Sequence, residues 1–357
     1  MAPSTASPLF DPMRIGALEL PNRIVMAPMT RRRSGPGNVP SPLAPTYYSQ
    51  RASAGLIVSE ASLVAADGAS YPGSPGIYDE AHVGAWREVT RAVHAAGGRI
   101  FLQLWHAGRF SDPEFLGGAI PVAPSAVALR GELRLPGGGR PFTAPRALAT
   151  EEIPGLVRAF ADGARRALAA GFDGVEIHAA QGYLIDQFLR DGTNQRDDAY
   201  GGSFERRARF LLEVTDAVSA IVGSSRVGVQ LSPTSTLGDM SDSDPTATFG
   251  HAAERLGALG LAYLHVFEPL APGPRLSPVL RTKFGGAFIA NGGYDGTTAR
   301  AAVANGDADL VSFGRAFIAN PDLVSRLASD GPLAAPDPST FYGGDARGYT
   351  DYPTWRA

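Results

Sequence analysis

The sequence predicts a single (β/α)8 TIM barrel. Three observations carry that expectation. Eight short, apolar, β-branched runs recur along the chain, and helical patterns lie between most of them. No G-x-G-x-x-G follows the first run, as an open dinucleotide-binding sheet would require. At 357 residues the chain is long for one core, but a barrel accommodates it, and 1–357 reads as one domain.

The runs are Arg23–Met26, Leu56–Ser59, Ile100–Leu104, Gly174–His178, Val227–Leu231, Tyr263–Phe267, Ala287–Ala290 and Leu310–Phe313. Such runs suit parallel strands covered on both faces. Amphipathic patterns at Ala81–Ala96, Glu151–Ala170, Phe204–Val222, Ala247–Leu259 and Thr297–Ala304 read as crossover helices. The sixth connection, around Arg275–Phe284, has the weakest pattern. Phe110–Thr150 breaks the rhythm: it is rich in Gly and Pro and too long for a turn. It reads as a structureless lid or binding excursion, with Leu135–Phe142 as the turn of a small hairpin; a passive insertion is the alternative. The closing residues 335–357 are expected near the pocket.

Composition narrows the function. The formal charge is −3, with no basic stripe for nucleic acid and no acidic tail. Cysteine is absent, which excludes disulfides, thiolate metal sites and a Cys nucleophile. The opening MAPSTASPLF does not read as a signal peptide, and no apolar run reaches the about 18 residues that span a bilayer. A cytoplasmic protein acting on small molecules, monomeric or homodimeric and without metal, is the expectation.

Barrel chemistry sits at the C-terminal ends of the strands. Those ends carry Pro28, Met29 and Thr30; then Glu60 and Ala61; then Gln103 within strand three, followed by Trp105, His106 and Arg109. Strand four delivers His178, Gln181 and Tyr183, an imidazole, an amide and a phenol able to hold a polar oxygen and supply a proton. Strand five carries Gln230. Strands seven and eight end in Asn291-Gly292-Gly293 and Gly314-Arg315. Paired Gly-rich turns at these strands form the phosphate cup of many barrels, and Arg315 adds a bidentate donor; a plain tight turn is the alternative for 291–293. Gln103 and Gln230, buried amides, need partners. Core hydrogen bonds would satisfy them, and so would a flat heterocycle. A phosphate with a planar hydrogen-bonding ring suggests flavin mononucleotide, FMN. The residues alone define a phosphorylated cofactor or substrate beside a His–Tyr corner.

At these residues the chain resembles the Old Yellow Enzyme family of flavin-dependent ene-reductases. The likeness runs through Leu9–Arg31, Tyr47–Ala61, Phe101–Arg109, Val175–Phe210, Phe288–Asp295, Ser312–Val324 and Phe341–Pro353. The resemblance implies that Pro28, Met29 and Ala61 contact the flavin through backbone. It implies that Thr30 tunes the ring, Gln103 binds its pyrimidine edge, and Gly293, Gly314 and Arg315 hold the phosphate. Trp105 would shape the substrate pocket and Tyr342 cover its other side. His178 and Gln181 would polarise the substrate oxygen while Tyr183 delivers the proton. NADPH, or NADH, would be the reductant.

Two positions depart from the pattern. The family has Asn or His at 181 and Arg at 230, where this chain has glutamine. An extra methylene at Gln181 displaces the amide, and misplacement near about 1 Å costs about 100-fold in rate. The family's Arg faces the ring edge where negative charge collects on reduction, and Gln230 brings no cation there. A lower flavin potential and slower reduction by nicotinamide are expected. The alternative to ene-reduction is a repurposed relative running a redox-neutral isomerisation or cyclisation, or a substrate oxidation.

Overall fold

The structure, a computed structural model, describes residues 7–355 apart from 136, 137, 272 and 274. Eight strands form a closed parallel barrel: β1 (Ile24–Met26), β2 (Leu56–Val58), β3 (Ile100–Trp105), β4 (Gly174–Ala179), β5 (Val227–Leu231), β6 (Tyr263–Phe267), β7 (Phe288–Asn291) and β8 (Leu310–Phe313). Each pairs with its sequence neighbour, β8 pairs with β1, and Val311 opposite Ile24 closes the ring. Nearly every strand residue is buried, which is why the sequence shows continuous apolar runs and no alternation.

Helices fill the connections. Glu80–Ala95, Ile153–Ala169 and Phe204–Val222 follow β2, β3 and β4; Pro245–Gly257, Ser277–Phe284 and Gly296–Ala304 follow β5, β6 and β7. Pro245–Gly257 starts two residues earlier than its pattern suggests. Asp244 caps it by accepting from the Ala247 N–H, and Pro245 lacks the donor that a first turn leaves idle. The weakly patterned sixth helix forms as well, ended by Gly285 in the left-handed region at φ 69°.

An antiparallel hairpin, Met13–Ile15 with Leu18–Leu20, precedes β1 and has no counterpart in the sequence reading. Its Ile15 and Leu20 enter an apolar cluster with Val25, Leu56, Val58, Phe101, Tyr263, Ile289 and Leu310, near the N-terminal starts of the strands. The hairpin thereby plugs that end of the barrel. Polar side chains gather toward the other end: Gln103, Glu176, Gln230, His265 and Ser312.

The excursion after β3 is more ordered than a structureless loop. Val122–Ala123 pairs in parallel with Arg146–Ala147, and a hairpin forms from Glu132–Leu135 and Gly138–Pro141, so Leu135 and Gly138–Pro141 are strand where a turn was expected. Residues 136–137 of its turn lie outside the described residues. Asp112, whose side chain is buried, ties it down by pairing with Arg140 and accepting from the Thr143 hydroxyl at 3.1 Å. No helix among the described residues is long and apolar enough to cross a membrane.

Phe101 stands between the hairpin plug and Tyr263, ring centroids 5.8 Å apart. Phe101→Ala should lower stability by about 3–5 kcal/mol, read as a shifted urea midpoint. A change below about 1 kcal/mol would show that the plug does not depend on this ring.

Candidate active site

A cavity of about 350 Å³ opens at the C-terminal ends of the strands. Pro28, Met29 and Thr30 line it from β1, Ala61 from β2, and His178, Gln181 and Tyr183 from β4. Gly314 and Arg315 line it from β8, and Phe341 and Tyr342 from the closing segment. A second cavity of about 400 Å³ contains Asn291, Gly292 and Gly293 and shares Gly314 and Arg315 with the first. These strand-end residues therefore line two adjoining cavities, while Gln103, Trp105 and Gln230 line neither.

The β4 corner is built with care for its backbone. Gln181 and Gly182 both adopt positive φ, 59° and 79°. The Gln181 N–H donates to Ser232 Oγ at 2.7 Å and the Gly182 N–H to Asp186 Oδ2 at 2.9 Å. Asp186 sits in the buried helix Leu184–Leu189 and is held by Arg190 at 2.8 Å. Gln187, one residue on, donates to the carbonyls of Gly182 and Ala107, at 2.7 and 3.0 Å. The left-handed region admits asparagine more readily than glutamine, so the extra methylene of Gln181 also carries a backbone cost.

His178 is 7% exposed, and its Nδ1 has no hydrogen-bond partner. Burial, helped by nearby His265, lowers its pKa to about 3, so the ring is neutral. Tyr183 packs edge-on to His178 and to Trp105, each with ring centroids 5.0 Å apart. Burial, and then neighbouring Tyr71, pushes its phenol well above the usual value of 10. The corner thus presents a neutral imidazole and a protonated phenol throughout the working pH range.

Below them lies the amide wall. Gln103 Nε2 donates to Glu176 Oε1 at 2.8 Å and to Gln230 Oε1 at 3.0 Å. Both Gln103 amide protons are committed, leaving its Oε1 as an acceptor, while Gln230 keeps a free donor, Nε2. Glu176 Oε2 meets His265 Nδ1 at 2.9 Å, and His265 Nε2 meets Ser312 Oγ at 2.8 Å.

At the glycine turns, Gly292 has φ 137°, and a Cβ there would lie 2.1 Å from the Glu268 carbonyl oxygen. Gly293, at φ 97°, meets nothing within 4 Å and leaves the cup open. Arg315 is exposed beside it and makes no ion pair or side-chain hydrogen bond among the described residues.

Three placements differ from expectation. Trp105 is fully buried behind Tyr183 and backs the site from inside β3, apart from the cavity wall. Tyr342 lies at the rim, 63% exposed, and Phe341 faces the cavity with it. The Asn291 side chain is spent inside the barrel, donating to Ser312 Oγ at 2.6 Å, so only its backbone remains for the cup.

Several contributors escaped the sequence reading. Tyr71 lines the cavity, and its hydroxyl is 2.8 Å from that of Tyr183. It lies in a loop, so a search of strand ends misses it. Arg31 and Arg33 clasp the closing segment: Arg31 donates to the carbonyls of Phe341 and Gly348 at 3.0 and 2.7 Å, and Arg33 to those of Thr340 and Arg347 at 3.0 and 3.1 Å. Buried Glu60 accepts the Arg31 N–H at 3.0 Å. Desolvation raises its pKa to about 7 against the opposing pull of Arg31.

A strand-end cavity adjoining an open glycine turn and an exposed arginine, in a barrel whose interior carries the amides of Gln103 and Gln230, is what a flavin nucleotide asks of a barrel, and the molecule falls among the flavin oxidoreductases. The chain belongs to the NADH:flavin oxidoreductase / NADH oxidase family, whose pattern matches residues 8–333. It is 46% identical to 12-oxophytodienoate reductase 1 of Oryza sativa subsp. japonica, over 99% of this chain and 94% of that protein. A probable flavin mononucleotide-dependent alkene reductase of Leishmania infantum is 42% identical over 97% of both chains. The old yellow enzyme homologue from Zymomonas mobilis superposes with a TM-score of 0.94 at 46% identity, over 97% of this chain and 99% of the other. Morphinone reductase in complex with tetrahydroNAD gives 0.94 at 48%, over 98% of each. The expected family, barrel fold and flavin-dependent oxidoreductase class are borne out.

Glu60 and His178 make opposite contributions to acid stability. Unfolded His178 titrates near 6.5 and folded His178 near 3, so its contribution falls as pH drops through that window. Folded Glu60 titrates near 7 against 4.5 unfolded, so its contribution falls as pH rises through that one. Glu60→Gln can still accept the Arg31 N–H and loses this titration. Its melting temperature relative to the parent should therefore be higher at pH 8 than at pH 4.5; an offset independent of pH would contradict the assignment.

Proposed function

We propose that the protein is an FMN-dependent ene-reductase that saturates the activated C=C bond of α,β-unsaturated carbonyl or nitro compounds at the expense of NAD(P)H. The observation that carries this reading is the neutral pair on one cavity wall, His178 and Tyr183, with ring centroids 5.0 Å apart. A neutral imidazole can donate a hydrogen bond to a substrate oxygen. A phenol with a raised pKa keeps its proton until a carbanion-like carbon takes it.

The residues present fit FMN. Unpaired Arg315 beside the open Gly293 suits a phosphate. The acceptor of Gln103 and the donor of Gln230 suit the pyrimidine edge of the ring. Pro28, Met29, Thr30 and Ala61 would lie along the ring through backbone and hydroxyl, and Gly292, Gly314 and the Asn291 backbone would complete the phosphate cup. Bound there, FMN would supply hydride taken earlier from the nicotinamide. His178 and Gln181 would fix the substrate oxygen, and Tyr183 would give its proton to the α-carbon. Trp105 would support Tyr183 from behind, while Tyr342 would cover the opposite side of the substrate.

In this reading the whole chain is one functional unit, with 110–150 as a lid-like excursion and 335–357 as a wall of the pocket. Phe110 supports this by packing 5.4 Å from Tyr183, as does Phe341 on the cavity. We place the enzyme in the cytoplasm, as a monomer or homodimer acting on small molecules.

Gln230 favours a second reading, a redox-neutral isomerisation or cyclisation, or a substrate oxidation, because its amide leaves the electron-rich ring edge without a cation. Anaerobic addition of NADPH to the flavin-loaded protein separates the two: bleaching of the flavin band followed by recovery on adding cyclohexenone supports ene-reduction, and a band that stays oxidised supports the second. Gln230→Arg should raise the flavin midpoint potential by about 30 mV or more, the two-electron equivalent of about 1.4 kcal/mol. An unchanged potential would remove Gln230 from the account of flavin tuning. Tyr183→Phe should depress alkene reduction by about 100-fold and flavin reduction far less; equal loss in both half-reactions would deny Tyr183 the role of donor.

A further inference from the structure

We propose that Tyr71 is a second proton carrier, passing its phenolic proton to Tyr183 as Tyr183 protonates the substrate and recovering a proton from a separate cavity behind it. The inference rests on the reading of Tyr183 as proton donor. Tyr71 acts through Tyr183, as a positioning and relay group.

Geometry carries the argument first. The two phenol oxygens are 2.8 Å apart, within direct proton-transfer reach, and either can be the donor. Tyr183 is otherwise enclosed by rings: His178 and Trp105 at 5.0 Å and Phe110 at 5.4 Å. A substrate bound over it would cut Tyr183 off from solvent on the cavity side. Tyr71 opens another way. It lines the active-site cavity and also a cavity of about 530 Å³ on its far side, which contains Asp67, Glu114 and Leu116. Among the described residues lining these two spaces, Tyr71 is the one common to both.

Electrostatics then sets the direction. The Arg32 guanidinium lies 5.1 Å from the centre of the Tyr71 ring and makes no ion pair among the described residues. Burial raises the Tyr71 pKa, but its bond to Tyr183, Arg32 and the Thr30 hydroxyl act against that rise. Among the described residues no cation lies over the Tyr183 ring, and burial, then Tyr71, raises its phenol. With the Arg32 guanidinium over its ring, Tyr71 is the member of the pair placed to hold negative charge as Tyr183 gives up and regains its proton.

The step balances as follows. FMN bound at the site would supply the hydride and electrons for the C–H bond at the β-carbon. The Tyr183 O–H bond breaks as the C–H bond at the α-carbon forms. The Tyr71 O–H bond breaks as the Tyr183 O–H bond re-forms. The Tyr71 phenolate takes a proton from water in the second cavity, and the hydroxide leaves to bulk. The electrons come from the flavin and the net proton from solvent.

The test uses FMN-loaded enzyme, reduced anaerobically and mixed with cyclohexenone in H₂O–D₂O mixtures, with flavin reduction by NADPH followed separately. The parent should show a bowed dependence of rate on deuterium fraction, the signature of two protons in flight. Tyr71→Phe should slow alkene reduction about tenfold or more beyond any change in flavin reduction, and its dependence should become linear. A linear parent, a Tyr71→Phe enzyme within twofold of the parent in alkene reduction, or a slowed one that stays bowed would each overturn the relay. Should Tyr71→Phe not fold, Arg32→Gln keeps both phenols, and the relay requires it to slow alkene reduction more than flavin reduction. An Arg32→Gln enzyme that slows neither counts against the relay. Failure of the underlying reading looks different: Tyr183→Phe would then reduce cyclohexenone at the parent rate, and both proposals would fall.

Discussion

Glu176 is a carboxylate with no solvent exposure, set in the interior of the barrel, and the site is arranged around neutralising it. Stripping water from a carboxylate costs several kcal/mol unless partners replace it. Here Gln103 occupies one oxygen and His265 the other. From those partners the chain continues outward, to Gln230 in one direction and through Ser312 to Asn291 in the other. Six strands, β3 through β8, are tied by this one series of contacts. The series fixes which polar groups stay uncommitted: an amide oxygen on Gln103 and an amide nitrogen on Gln230, with the Asn291 side chain already engaged. Buried Glu176 thus sets the orientation of both amides.

Much of this was legible because it is local. A parallel strand buried on both faces must read as an apolar run, and the eight runs lie within a residue or so of the observed strands. Residues just beyond a run must point toward the open end, so Thr30, Ala61, His178, Gln181, Tyr183 and Arg315 converge on one cavity. The misses are of another kind. The pocket role of Trp105 comes from the family resemblance alone, whereas the residue is the last of β3 and its side chain is buried in the core. The plugging hairpin has strands of three residues, too short for alternation to register. Tyr71 and the Arg31–Arg33 clasp depend on loops meeting across long sequence separations, and no periodicity encodes such meetings.

Gln181 and Gln230 have different physical weight. Gln181 alters geometry: it adds length at a backbone position already held at positive φ, and Ser232 and Asp186 bear the cost of holding the corner. Gln230 alters charge: its carbonyl is bound to Gln103, so it presents a donor without a cation. The first bears on which substrates fit, the second on the driving force of the chemistry.

The closing segment is fastened to Arg31 and Arg33 through its backbone carbonyls. A main-chain carbonyl is the same whichever side chain its residue bears. Attachment of this strap is thereby uncoupled from the identity of Phe341 and Tyr342, the groups it presents to the cavity. Replacing either side chain would leave these bonds in place, whereas replacing Arg31 or Arg33 would remove them.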